Sequence, residues 1–239
     1  MSHRSSPDSE ISIVETKPLK TVKPIVLTGF QDTGLIGVLA VTHLINVLQM
    51  EEVAHIRSKY IAPLKVIVGS DFRNVNPFRM YANKDRSVMA LINDTPAGLV
   101  SLSPFFNDIA QVFAEWSLKK DVQLVAALGS YVLQKGEKPQ VVGFSTHQDK
   151  MRQLTDLGMK PLQQGLIGGF VVSMIDECIA KKIPWMMLFA PSTQMGGVDP
   201  EGTSMLIEGL NQFFGWHVET ESLKKAVSTA KKGFSLRRR

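Results

Sequence analysis

Short apolar runs alternate with helical segments along this chain. The alternation predicts an α/β fold of three layers, with a mixed sheet between two layers of helices. Three observations carry that prediction. Residues 24–28 (PIVLT), 123–128 and 185–190 are apolar runs of strand length, and a strand covered on both faces reads that way. The stretches between several of them repeat apolar residues at helical spacing. The 239 residues are 44% hydrophobic and 21% charged, an ordinary globular composition long enough for one large α/β domain.

The elements follow in order. Residues 1–20 form a polar lead with a short strand at 11–14. The strand at 24–28 runs into Gly29, which opens a turn, and a helix over 34–50 follows. That helix is apolar almost all round, with Thr42, His43, Asn46 and Gln49 as its only polar stripe, so it is expected to be covered on most sides. Strands are expected at 53–61 and 65–68, a loop at 71–77, and a hairpin of 78–82 with 87–93 turning at 83–86. Ser103–Pro104 reads as an N-cap with proline at the first helical position. The helix behind it places Phe105, Ile109, Val112, Phe113 and Trp116 on one face.

Strands at 123–128 and 141–145, a short helix at 150–157 stopped by Gly158, and a helix introduced by GLIGG at 165–169 come next. The strand at 185–190 leads to a loop at 191–198. Asp199–Pro200–Glu201 then starts a helix with Leu206, Leu210, Phe213 and Phe214 on its apolar face, stopped by Gly215. A final amphipathic helix is expected over 221–232. The organisation read from this order is a lead at 1–20, one α/β domain at 21–218, and a C-terminal helix with a basic tail at 219–239, with no internal repeat and no interior linker.

Charge is unevenly spread. The chain carries +5 overall, but residues 220–239 hold seven Lys/Arg against one Glu, so the rest of the chain is close to neutral. A basic stripe for nucleic acid is not visible in the body, and nucleic acid is not an expected partner. The lone Cys178 has apolar neighbours and reads as a buried, inert thiol. The polar start lacks the apolar core of a signal peptide, and the uncharged stretch 33–50 contains too many polar residues for a membrane span. A cytoplasmic protein that does not engage membranes is the expectation.

The motif closest to chemistry is GFQDTGLIG at 29–37. It follows a strand and opens a helix, where backbone N–H groups and the helix dipole can hold an anion. Leu35 and Ile36 stand where a phosphate loop needs Lys and Ser/Thr, and Gln31 replaces the second glycine of a dinucleotide fingerprint. Asp32 would repel a phosphate. Gly29, Asp32, Gly34 and Gly37 therefore read as a tight structural turn, as do Gly168, Gly169, Asp199 and Pro200 at two later helix starts. Gly143-Phe-Ser145-Thr-His147 is half of a serine-hydrolase elbow. Among the histidines His3, His43, His55, His147 and His217, no two lie at the i, i+3 or i, i+4 spacing of helical metal ligands. No catalytic residue, metal or cofactor is assigned.

Taken together, 24–30 followed by GLIG at 34–37, the segment Phe78-Arg79-Met80-Tyr81, GLIGG at 165–169, and 185–193 followed by Asp199–Pro200 resemble, in order, the sequence blocks of the proteasome assembly chaperone family, subunit-two branch. The resemblance implies a nucleoside-phosphorylase-like αβα fold, homo-oligomers, and binding to proteasome α subunits or rings without catalysis. Some archaeal members end in a hydrophobic–tyrosine–any tripeptide that inserts between α subunits. This chain ends instead in Arg237-Arg238-Arg239 with Phe234 and Leu236 just upstream, and these five are the candidate partner-binding residues. Two other readings stay open. One is an enzyme acting on a nucleoside or similar small molecule, with Arg73 or Arg79 beside the 29–37 turn. The other is a nucleic-acid contact through the tail.

Overall fold

A computed structural model describes residues 11–61, 64–68, 71–93, 105–133, 136–162, 167–192 and 197–223, with 64–68 and 71–75 as backbone. The elements in chain order are β1 (Ile11–Glu15), β2 (Ile25–Gly29), a 3-10 turn (Thr33–Leu35), α1 (Ile36–Val47), β3 (Glu51–Ser58), β4 (Leu64–Val68), β5 (Asp71–Val75), β6 (Arg79–Ala82) and β7 (Val88–Ile92). They continue as α2 (Phe106–Lys119), β8 (Leu124–Val132), β9 (Val142–Phe144), α3 (Gln148–Asp156), β10 (Lys160–Pro161), α4 (Phe170–Ala180), β11 (Trp185–Ser192) and α5 (Pro200–Phe214).

Nine strands form one mixed sheet in the order β1-β3-β6-β7-β2-β8-β11-β9-β10. Its centre, β7-β2-β8-β11, is parallel. An antiparallel wing of β6, β3 and β1 flanks one side. On the other side β9 runs antiparallel to β11, and β10 parallel to β9. Every residue of β7 and β11 is buried, as parallel strands covered on both faces must be. Alternation along β2 splits the core: Leu27 joins Leu44, Leu128, Leu188, Leu206 and Leu210 under α1 and α5. Val26 joins Val125, Ile109, Phe113 and Met174 under α2 and α4 on the opposite face. Three layers result, as the sequence predicts.

Cys178 is fully buried in the α4 face, and burial pushes its thiol up to about 12, so it is held as an unreactive thiol. The lead is tied down from Ile11 onward. β1 is an edge strand of the main sheet, and Glu15 accepts from both Trp116 Nε1 (3.0 Å) and Lys120 Nζ (2.7 Å) on and just after α2.

Several boundaries differ from the sequence reading. The expected loop at 71–77 contains β5, which pairs with β4 in a separate two-stranded sheet. Its Asp, Arg and Asn disguise the strand, and only Gly69 and Ser70 separate the two runs, the length of a hairpin turn. The expected loop at 191–198 surrenders Pro191 and Ser192 to β11, where they pair with Tyr131 and Val132 of a β8 that runs past Gly129. Glu51 and Glu52, which fall between the expected helix at 34–50 and the expected strand at 53–61, begin β3. The helix expected from Gly34 starts at Ile36 after a 3-10 turn, and ends at Val47. The two-residue strand β10 carries too little pattern to be legible. The Ser103–Pro104 start and the helix beyond Leu223 lie outside the described residues. Among the described residues no helix is long and apolar enough to cross a membrane.

Candidate functional site

The parallel strands β2, β8 and β11 end side by side, and the chain's glycine-rich segments gather at that edge. An open sheet places its crevice there, beyond the carboxyl ends of its strands. Gly29 ends β2 directly beneath α1: a Cβ on it would overlap the Gly37 carbonyl and stand 2.7 Å from Val41 Cγ2. A Cβ on Gly37 would in turn overlap the Leu128 carbonyl of β8. These two positions need glycine for close approach, not for a left-handed backbone. Gly34 needs it for both reasons. Its φ is 74°, and an added Cβ would lie 2.5 Å from Ser192 Oγ.

Two aspartates fill the two helix starts. Asp32 Oδ2 accepts from the Gly37 N–H at 3.1 Å. Asp199 caps α5, with Oδ1 accepting from the Gly202 N–H at 2.9 Å and Oδ2 from the Ser192 hydroxyl at 3.1 Å. Pro200 stands at the first position of that helix. The Asp199 N–H donates to the Gly34 carbonyl at 2.8 Å, so the starts of α1 and α5 are stitched together. A phosphate approaching either helix terminus would meet a carboxylate already on the amides.

Asp32 Oδ1 has no partner. Its neighbour Ser130 commits its hydroxyl proton to the Thr33 carbonyl at 2.6 Å, and Oδ1 is buried without a donor. Burial raises this carboxyl to about 6, and the Gly37 N–H offsets the effect only in part. Beside it an open cleft of about 680 Å³ is lined by Asp32, Thr33, Gly34, Leu35, Val132, Gly197 and Val198. Val132 and Val198 are half exposed, and Leu35 sits on its rim with a left-handed backbone (φ 53°). Apolar walls beside one buried carboxylate suit side chains of another polypeptide better than a phosphate.

The other sequence blocks reach the same edge on the opposite face. Phe30 follows Gly29 and meets Phe170 edge-to-face at 4.7 Å. Phe170 is the first residue of α4, directly behind Gly168 and Gly169, whose φ is 79°. Phe78 and Phe106 pack on Phe170 at 5.3 and 5.7 Å. The described parts of all four blocks, spread over residues 24–200, thus converge on the carboxyl edge of the central strands. The aromatic cluster was not singled out from the sequence. Its signal was a phenylalanine next to a glycine turn in the first and third blocks.

Of the residues considered for chemistry, the Arg73 side chain lies outside what the structure describes, and Arg79, Ser145 and His43 are held in hydrogen bonds. Arg79 donates to Tyr81 Oη (3.0 Å) and to the Asn76 carbonyl (3.3 Å). Ser145 donates to the Trp185 carbonyl at 2.6 Å and accepts from the His147 N–H, which makes it a structural bridge. His43 donates from Nε2 to the Glu219 carbonyl at 2.7 Å. Among the described residues no cluster of three His, Cys, Asp or Glu could hold a metal ion. Phe234, Leu236, Arg237, Arg238 and Arg239 lie outside the described residues, as does Gly165.

Comparison with known proteins agrees with the fold. The chain is 28% identical over 217 residues to an uncharacterized protein of Methanocaldococcus jannaschii, covering 90% of this chain and 85% of that one. It is similar in structure to Pyrococcus furiosus PbaA, an archaeal homolog of proteasome-assembly chaperone, with a TM-score of 0.84 at 21% identity over 95% of this chain and 91% of that one. It is also similar to P. furiosus PbaB, an archaeal proteasome activator, with a TM-score of 0.79 at 18% identity over 96% and 99% of the two chains. At those identities the two structures establish the fold alone. The model of the PAC2 family matches residues 26–234, nearly the whole chain, and this protein belongs to the PAC2 family.

Proposed function

We propose that this chain is a non-catalytic protein-binding factor, a homo-oligomeric chaperone-like protein of the cytoplasm that engages proteasome α subunits. Family membership supports a chaperone-like role. The observation that carries the non-catalytic reading is that both helix starts at the carboxyl edge are filled by the chain's own Asp32 and Asp199. The slot in which a phosphate-using reaction would hold its anion is occupied, and what remains is a stiff knot with an apolar rim. Contact through Phe234, Leu236 and the three terminal arginines would add a salt-sensitive component.

The test is a native mass measurement of the full chain, alone and mixed with α subunits of the same organism at low salt. An oligomer that takes up α subunits is expected. A monomer that forms no complex with them removes the reading.

The cleft's place at the carboxyl ends of parallel strands, beside the unpartnered Asp32 oxygen, favours one second reading. It is an enzyme acting on a nucleoside or similar small molecule. Incubation with nucleosides and inorganic phosphate would then release ribose 1-phosphate, and none is expected.

A further inference from the structure

Between the end of α5 and the basic segment lies a short strap, residues 215–220, with an unusually specific attachment. Gly215 turns the chain out of α5 in the left-handed conformation (φ 69°). Asn211, on the last turn of that helix, then holds the strap three ways. Its carbonyl accepts from the Trp216 N–H at 3.0 Å. Its side-chain Oδ1 accepts from the Val218 N–H at 3.0 Å, and its Nδ2 donates to the Val218 carbonyl at 2.9 Å. One amide side chain thereby satisfies both backbone groups of Val218, as a neighbouring strand would.

One residue further, the Glu219 carbonyl accepts from His43 Nε2 at 2.7 Å. His43 is nearly buried on α1, a helix otherwise packed with apolar side chains. Burying an imidazole there is unfavourable unless it finds a partner, and the strap supplies it. Val218 and Thr220 are buried, and Leu223 packs on the α1/α5 core. Two side chains from two different helices thus fix the chain at Val218 and Glu219, a few residues before the basic segment begins at Lys224.

We propose that His43 and Asn211 are positioning residues for partner engagement: they pin the strap on the α1/α5 layer, so that the chain approaches the basic segment from one fixed point. This rests on the reading that the terminal segment contacts a protein partner. A tether that starts from a fixed root keeps its far end within a small volume and raises its effective concentration at a site on a partner already held by the body. Freeing the root would add conformations that binding must then remove.

Trypsin reads the root directly, with the full chain. Cleavage after Lys224 needs the residues before it extended in the protease cleft, so Thr220–Leu223 must lift from the α1/α5 layer, whereas Lys231–Lys232 is seven residues further along the sequence and Lys181–Lys182 reports opening of the body. In His43→Ala and in Asn211→Ala, cleavage at the proximal pair relative to the distal pair should rise by about tenfold, with Lys181–Lys182 unchanged. His43→Gln, which keeps a side-chain N–H donor, should restore the wild-type ratio. Affinity for α subunits should fall by about tenfold in the two alanine variants and return in His43→Gln. An unchanged cleavage ratio in both alanine variants overturns the anchor. A freed root with undiminished affinity overturns the positioning role. Equal gains at Lys181–Lys182 would reduce both residues to general stabilisers and overturn it too. A wild-type chain that binds no α subunit fails the proposed function instead, while the cleavage ratio still decides the anchor.

Discussion

Asp32 is where two demands on one side chain conflict. Its Oδ2 is needed to hold the Gly37 amide, while its Oδ1 is buried with nothing to bond. The folded protein therefore holds a proton on Asp32 up to about pH 6, against an ordinary value of 3.8. Because the folded state binds this proton more tightly than the unfolded chain, the ionised group costs stability above pH 6. That cost is relieved as the pH falls from 6 towards 4. Asp32→Asn keeps an oxygen for the Gly37 amide and removes the charge. It should stabilise the protein at pH 7 by roughly 2 kcal/mol and flatten this part of the pH profile, as urea unfolding at pH 7, 6 and 5 would show. An Asn variant no more stable than wild type at pH 7 would mean that the charge is not penalised. Gly37 makes the opposite test. A methyl there meets the Leu128 carbonyl, which cannot move without the sheet. Gly37→Ala should lose about 2 kcal/mol or more of stability, with a matching drop in melting temperature.

At the scale of elements, α5 shows how much of a helix start can depend on one residue. Asp199 holds the Gly202 amide, takes the Ser192 hydroxyl, and gives its own N–H to Gly34. Asp199→Ala should cost about 2 kcal/mol, a lost cap plus a lost hydrogen bond from the buried Ser192 hydroxyl. Asp199→Asn, still able to accept at the helix start, should cost less than half of that in the same denaturation experiment. The elements were legible where one period held. The apolar runs of β2, β8 and β11 and the face of α5 could be placed from sequence within a few residues. β5 was not, because Asp71, Arg73 and Asn74 outweighed Phe72 and Val75 in a five-residue run. The end of β11 was not, because Pro191 and Ser192 look like loop residues. Pairing with β8 decides their state.

For the whole molecule the charge asymmetry leads to a separable prediction. The body is nearly neutral and the net positive charge lies in residues 220–239. Removing residues 231–239 should leave the melting temperature within a few degrees of wild type. It should also weaken α-subunit binding and flatten its dependence on salt, since exposed charges are screened over about 10 Å at 0.1 M ionic strength. Unchanged salt dependence in the truncated chain would show that the tail takes no part. The candidate site itself was only half legible. Gly29, Asp32, Gly34 and Gly37 could be named as a turn, and Asp199–Pro200 as a helix start, but nothing local says that the two touch. Their contact passes through Gly34, Ser192 and Asp199, which the order of the sheet brings together from opposite ends of the chain.

The sequence by itself determined the fold class, the alternation of buried strands and covering helices, and the failure of the 29–37 turn to match a phosphate loop. Those properties depend on residue type and short spacing, and both are local. Only the tertiary structure decided that four separated blocks share one edge, that Asp32 has an oxygen with no partner, and that His43 on α1 bonds the strap at Glu219. Each of these depends on which strands lie side by side. Strand order is settled by burial across the whole sheet, over separations that no local pattern records.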